Sequence, residues 1–409
     1  MHLYVVPLLF VMAGLVFYTV LGGADFGAGI WQLISGRGEA GDRVRQHAHE
    51  SMAPVWEANH VWLIFVLTVT WTAYPTAFGS IASTLSIPLF IAAVGIILRG
   101  ATYALRSGAS TAAEARRIDT GFAISSLITP FALGTCIGAL ASRRVPVGNA
   151  AGALFSSWLN PTSIVIGVIA VLSSTYLAAV YLAADAARHE DAELARGFRV
   201  RALIAGALAG AAAAVGLLVI HSDAPALFSG LTSGGGLAAL IVSFAAGLAA
   251  LALVLTESFE PARYVAALTV AAVVAGWGLA QQPILLRNLT IRQAAAPYDT
   301  LVLVVVAVVA GGVILFPSLA LLFRLFLGGR LGETAGGTAA QTNASPTDRR
   351  TPRPTLARAA LAAFVAGLIL VVFIDVEWGQ VLGALLLVAC VILGFVAVDP
   401  PSLAEREDA

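Results

Sequence analysis

Residues 54–73 read PVWEANHVWLIFVLTVTWTA. Twenty residues of helix rise about 30 Å, the thickness of the hydrocarbon core of a bilayer. The run is apolar from Val61 onward, and Pro54 suits the first turn of a helix. Runs of this kind recur along the chain. Of its 409 residues 59% are hydrophobic and only 11% charged, with a mean hydropathy of +0.90. A soluble domain carries about a quarter charged residues. No segment shows the alternating pattern of a membrane β-barrel. The composition predicts an all-α polytopic membrane protein.

Nine apolar spans are expected before residue 330, near 3–22, 54–73, 79–99, 119–141, 162–184, 202–221, 236–256, 263–282 and 300–326. Two more follow, near 357–375 and 379–398. All 23 basic residues are Arg. With the N-terminus outside, nineteen of them fall on the cytoplasmic side or in the tail, leaving only Arg143, Arg144, Arg287 and Arg292 outside. The positive-inside rule selects that orientation and places the C-terminus in the cytoplasm. The Gly-, Thr- and Pro-rich stretch 328–356 has no apolar periodicity and reads as a flexible cytoplasmic linker. It divides a nine-span domain, 1–327, from a two-span C-terminal hairpin, 357–409. The first apolar run is too long for a cleavable signal and lacks a basic leader.

The net charge is zero, so nucleic acid is not indicated as a partner. Cys136 and Cys390 both lie in apolar runs and read as small core residues. No CxxCH, CxxC, Walker A or HExxH pattern occurs. Of six histidines only His60 falls within a span, and the three methionines are Met1, Met12 and Met52. Haem iron in a helical bundle needs such ligands at span depth, so this chain is not expected to hold haems or another metal itself.

Polar side chains inside a membrane are costly and mark functional sites by default. Asp25, in VLGGADFGAG, lies at the inner end of the first expected span, and Glu57 and His60 lie at the inner end of the second. Glu57 and His60 are three apart and share a helix face. Arg99 closes the third span on the same side. One reading makes these interfacial residues, with Trp31, Trp56 and Trp62 in the aromatic belt. The other makes them a site of proton uptake, because desolvation and neighbouring cations act oppositely on a carboxylate's hold on its proton. Spacing alone leaves both open. Glu257, Glu260 and Arg263 read as a solvated loop cluster. Ser125, Ser126 and Thr129 read as bonded to their own helix or a neighbour.

VLGGADFGAGIWQL, APVWEANHVWLI and YPTAFGSIASTLSIPLFIAAVGIILRGATYALR together resemble the first three spans of subunit II of the cytochrome bd-type quinol oxidases. The matching positions are Asp25–Phe26–Gly27, Pro54 through Leu63, Tyr74–Pro75 and Arg99. GWGLAQQPILLRNLTIRQAAAPYDTL is similar, more loosely, to that family's outer loop before the ninth span. The resemblance implies a subunit of a bacterial cell-membrane oxidase that oxidises quinol and reduces O₂ to water. The haems, two b-type with one d-type or a third b-type, would sit on subunit I, and no catalytic residue or metal ligand on this chain. This subunit would support subunit I and supply the cytoplasmic mouth of a proton path at Glu57, with Asp25 and His60 on the path. Asn59, Arg99, Trp56 and Trp62 would be supporting polar and interface residues. The resemblance admits a bound quinone and a small accessory subunit. Glu57 stands where Asp is usual, Ala58 where Gly is, Ala24 where a Phe-like residue is, and His60 where Gln or Glu is frequent. The C-terminal hairpin has no counterpart in the resemblance. Two other readings compete: a proton-coupled secondary transporter or channel, and a non-catalytic membrane scaffold.

Overall fold

The computed structural model describes residues 3–36, 38–52, 56–106 and 112–327, with isolated positions between 358 and 389. Two compact units divide at 320/321. The linker expected at 328–356 and nearly all of the hairpin expected at 357–409, Cys390 included, lie outside the described residues.

The first unit is helical apart from one short hairpin. A long first helix is built from α1 (Val6–Phe17), a π turn at Tyr18–Gly22, and α2 (Gly23–Ile34). After it come α3 (Glu39–Met52), α4 (Trp56–Ala73), α5 (Pro75–Thr84), α6 (Ser86–Arg106), α7 (Ala112–Ala141), α8 (Pro161–Arg188), α9 (Ala192–Asp223), α10 (Pro225–Leu231), α11 (Gly234–Leu255) and α12 (Phe259–Gln281). The hairpin β1 (Ile284–Leu286) and β2 (Leu289–Thr290) precedes α13 (Ile291–Ala294) and α14 (Tyr298–Leu327). Among the described residues, seven helices are long and apolar enough to cross a membrane; α5 and α6 make an eighth if that bent pair is one span, and α4 is a shorter apolar helix.

Three features depart from the expected spans. The first helix continues to Ile34, so Asp25 lies nine residues inside its end. The third span is broken: α5 and α6 meet at 82°. Leu85 occupies the break, and Pro88, lacking an N–H, cannot bond the Thr84 carbonyl one turn back. A broken helix was not legible in the pattern, because both halves are equally apolar. Residues 39–52, expected as loop, form the amphipathic helix α3. Pro130, by contrast, sits inside α7 without ending it.

The core is a tight contact of α2 with α7 and α8. A Cβ at Gly27 would overlap the Ser174 carbonyl oxygen of α8, and one at Gly29 would overlap the Ser126 hydroxyl of α7. Small residues here let backbones touch, which is how helices associate where lipid supplies no hydrophobic drive. Trp31 seals the lower contact: its indole N–H donates to the Thr175 carbonyl at 2.8 Å, and it is buried rather than in an aromatic belt. Ala178, Ala179, Ala183 and Ala186 continue this small-residue packing along α8.

α3 is tied to the same layer. The Leu182 carbonyl accepts from His47 Nε2 at 3.0 Å, and Ser51 donates to Asp185 at 2.5 Å. Arg43 pairs with Asp191 and Glu193, each at 2.7 Å. Asp191 also caps α9 by accepting from the Leu194 N–H. The Leu194 N–H and the Arg43 guanidinium hold the Asp191 carboxyl below the usual carboxylate range. The expected loop cluster is present as Arg188–Glu260 at 2.5 Å, Arg199–Glu257 at 2.9 Å and Arg263–Glu260 at 3.6 Å.

Gly27→Ala should therefore destabilise the detergent-solubilised chain by about 1–3 kcal/mol through overpacking. Gly210→Ala, where a Cβ meets nothing within 4 Å, should be neutral or stabilise by roughly 0.5–1 kcal/mol. Thermal unfolding of the two variants measures the contrast. The Asp191 contribution is complete above its unfolded pKa of about 4 and disappears as pH falls through the lower folded value. Amide exchange in α3 should thus rise only in acid below about pH 4, and Asp191→Asn should reduce that pH dependence.

Candidate functional site

Within this helix contact lies a cation in the middle of the bundle. The guanidinium of Arg99 comes from α6 and is 1% exposed. One of its nitrogens donates to the Asp25 carboxylate at 2.5 Å and to the Asp25 backbone carbonyl at 2.8 Å. The other donates to Ser126, whose own hydroxyl donates to the Phe122 carbonyl at 2.6 Å. Two rings flank the cation, Phe122 at 4.1 Å and Phe26 at 5.1 Å from Cζ. Asp25 is as deeply buried as Arg99. Water would otherwise satisfy these charges; here two helices and two aromatic faces do so.

The site continues toward α4. The Phe26 ring lies 6.2 Å from the His60 ring and 6.3 Å from Tyr18, and Tyr18 lies 6.3 Å from His60. Phe26 thus stands between the Arg99 guanidinium and the His60 imidazole. Asn59 is buried and donates to the Leu21 carbonyl in the π turn at 3.3 Å. A π turn displaces its carbonyls from the regular ladder, and such turns concentrate at functional sites. Trp62 stacks on Phe17 with centroids 4.5 Å apart. Trp56 and Glu57 belong to the first turn of α4, and their side chains lie outside the described residues.

Asp25, Arg99, Asn59 and His60 are therefore brought to one layer, and Trp62 packs beside it. Sequence reasoning missed Tyr18, Phe122 and the role of Ser126 as acceptor for Arg99. Tyr18 carried no usable signal, because the π turn at Tyr18–Gly22 breaks the helical periodicity between it and Asp25. Ser126 carried none, since a span hydroxyl bonded to its own helix looks the same from sequence. Among the described residues, the Tyr18 hydroxyl and one Asp25 carboxylate oxygen are buried without a hydrogen-bond partner. Each is an acceptor or donor left for a proton or a small polar molecule.

A family model described as cytochrome bd terminal oxidase subunit II matches residues 3–326, which contain this site. The chain belongs to that family. It is 25% identical over 178 residues to cytochrome bd-I ubiquinol oxidase subunit 2 of Escherichia coli K12, covering 41% of this chain and 45% of that protein. It is 28% identical over 167 residues to cytochrome bd ubiquinol oxidase subunit 2 of Bacillus subtilis 168, covering 40% of this chain and 48% of that one. The chain thus spans about half the length of the curated relatives it matches. The fold is similar to a chain of the bd oxidase of Geobacillus thermodenitrificans, with a TM-score of 0.62 and 23% identity, covering 80% of this chain and 99% of that chain. Family and apolar helices together make this a multi-pass bacterial membrane protein.

A bd-type oxidase carries haem, and the residues here do not fit one. The Tyr18 and Phe26 rings both pack within 6.3 Å of the His60 imidazole, and no second His, Met or Cys joins it in this layer among the described residues. Among the described residues no three His, Cys, Asp or Glu side chains converge as for a metal ion.

Removing one partner of a buried ion pair strands the other charge. Arg99→Met should destabilise the chain by about 3–5 kcal/mol. Adding Asp25→Asn should recover more than about 1 kcal/mol of that loss. Chemical unfolding in detergent of both single variants and the double variant closes the cycle. Additive losses would show that the two charges do not act together.

Proposed function

We propose that this chain is the second subunit of a bd-type quinol oxidase, nine-spanning with its N-terminus outside. Its work is to brace a haem-bearing subunit I and to carry protons inward from the cytoplasmic face. The observation that carries this reading is the buried layer of Asp25, Arg99, Phe26 and His60 inside the region matched by the family. The helix turn holding Glu57 leads to that layer: by spacing, Glu57 and His60 share a face of α4. A proton taken up at Glu57 passes the His60 imidazole toward the open oxygen of Asp25. Imidazole suits a relay because either ring nitrogen accepts or donates. Arg99 binds one oxygen of the Asp25 carboxylate and leaves the other open to the path. Quinol, O₂, the haems, a bound quinone and an accessory subunit all belong to the assembled complex in this reading. The linker and hairpin beyond residue 327 are an appended cytoplasmic tether and two further spans.

One observation favours a second reading, that of a scaffold. Arg99 is held by α2 and α7 at once and would lock the bundle even if no proton moved. Glu57→Gln separates the two readings, because only the proton-uptake reading gives Glu57 a role. In the purified complex the variant should keep its haem absorption and its KM for quinol and lower kcat for O₂ consumption by about tenfold or more. Unchanged turnover with full haem content would leave the scaffold alone. Absence of haem from the purified complex would remove the oxidase reading. Proton flux in liposomes by this chain alone would support the transporter reading instead.

A further inference from the structure

At the other end of the bundle, about 24 Å along α7 from Ser126 at 1.5 Å per residue, three chain segments enclose a cleft of about 740 Å³. It is walled by the end of α7, the loop before α8, and the β1–β2 turn. Arg143, Arg144 and Arg287 line it, with Asn288, Ser156 and Ser157. These are three of the four arginines on the side assigned to the outside, where arginine is otherwise scarce. Segments more than a hundred residues apart bring them together, so their meeting is a product of the fold.

No lining residue is acidic. Arg144 is compensated by Asp223 at 2.6 Å, and Asp223 is in turn held by the Thr162 hydroxyl at 2.7 Å. Arg143 and Arg287 have no carboxylate partner among the described residues. The buried Nε of Arg144 has no partner among the described residues either. Arg143 occupies the position after the α7 C-terminus, with φ +57°, where glycine fits with least strain. Asn288, in the facing turn, has φ +64°. The negative end of α7 accounts for a cation at Arg143 and Arg144. It does not account for Arg287, which comes from the hairpin.

We propose that this cleft binds a phosphate-bearing anion. Guanidinium forks match phosphate oxygens in paired hydrogen bonds, and two uncompensated arginines supply charge for a mono- or diester. The cleft is larger than a lone phosphate needs and lies within the range of small-molecule sites. Leu154 and Phe155, in the wall segment, are 51% and 58% exposed beside it, as suits the acyl part of a phospholipid at a membrane surface. The site is separate from the proton path and does not depend on it.

The test uses the full-length protein in neutral detergent, titrated separately with dioctanoyl phosphatidylglycerol, dioctanoyl phosphatidylcholine and inorganic phosphate. Bound lipid is counted by native mass spectrometry and stabilisation is read as the shift in Tm. Phosphatidylglycerol should give a saturable shift that weakens with added NaCl. Arg143→Gln with Arg287→Gln should bind it about tenfold more weakly, while Arg292→Gln, outside the cleft, should bind as wild type. Saturation by inorganic phosphate at similar concentrations would identify the free anion as the ligand. If the double variant fails to fold, the wild-type titrations still decide. No saturable response to phosphatidylglycerol or phosphate overturns the proposal. So does equal affinity for the zwitterionic lipid, or wild-type affinity in the folded double variant.

Discussion

A guanidinium cannot be left dry in the middle of a membrane protein, and the rest of the bundle is arranged around that constraint. Arg99 reaches from α6 to Asp25 on α2 and Ser126 on α7. Its charge is balanced once, by Asp25, and its faces are covered by Phe26 and Phe122. Burying two ions is expensive, and their attraction offsets the cost only if hydrogen bonds complete both groups. The glycines of α2 make the pairing geometrically accessible, and among the described residues it leaves one Asp25 oxygen and the Arg99 Nε without a partner. Gly27 and Gly29 let α2 lie against the Ser174 carbonyl and the Ser126 hydroxyl, which brings Asp25 within reach of a side chain from the far side of the layer.

The same layer explains how one element can be structural and chemical at once. One Asp25 oxygen is committed to Arg99 and the other is not. The committed oxygen fixes the helix packing; the uncommitted one is the oxygen on which the proposed proton route ends. His60 is separated from the cation by the Phe26 ring, so the imidazole and guanidinium share a neighbour without sharing a hydrogen bond. The π turn between α1 and α2 contributes by presenting the Leu21 carbonyl to Asn59, which anchors α4 one residue away from His60. Packing precision and the proposed proton route therefore depend on the same few contacts.

Charge on the two ends of the bundle is handled differently. On the side assigned to the cytoplasm, Arg43, Arg188, Arg199 and Arg263 are matched by carboxylates from neighbouring elements, as befits solvated loop networks. Arg199 also bonds the Val254 and Leu255 carbonyls, closing the end of α11. At the other end, among the described residues, only Arg144 has such a match. The contrast is what distinguishes a loop held together by ion pairs from a cleft with charge to spare.

The helical membrane class, the polar residues of the buried layer and the family motifs were legible in the chain, because apolar run length and the rarity of intramembrane charge are one-dimensional properties. Asp25, Arg99, Asn59 and His60 could be named from their placement in otherwise apolar runs. That Asp25 and Arg99 form one buried pair could not, since 74 residues separate them and nothing in either segment specifies the other. The same holds for the convergence of Arg143, Arg144 and Arg287. The break at Leu85, the continuation of the first helix to Ile34 and the folding of residues 39–52 into α3 were set by neighbours rather than by local pattern. Sequence alone determined which groups are too costly to leave in lipid unpaired; only the tertiary structure decided which partner relieves each one, because pairing requires surfaces that no single helix possesses.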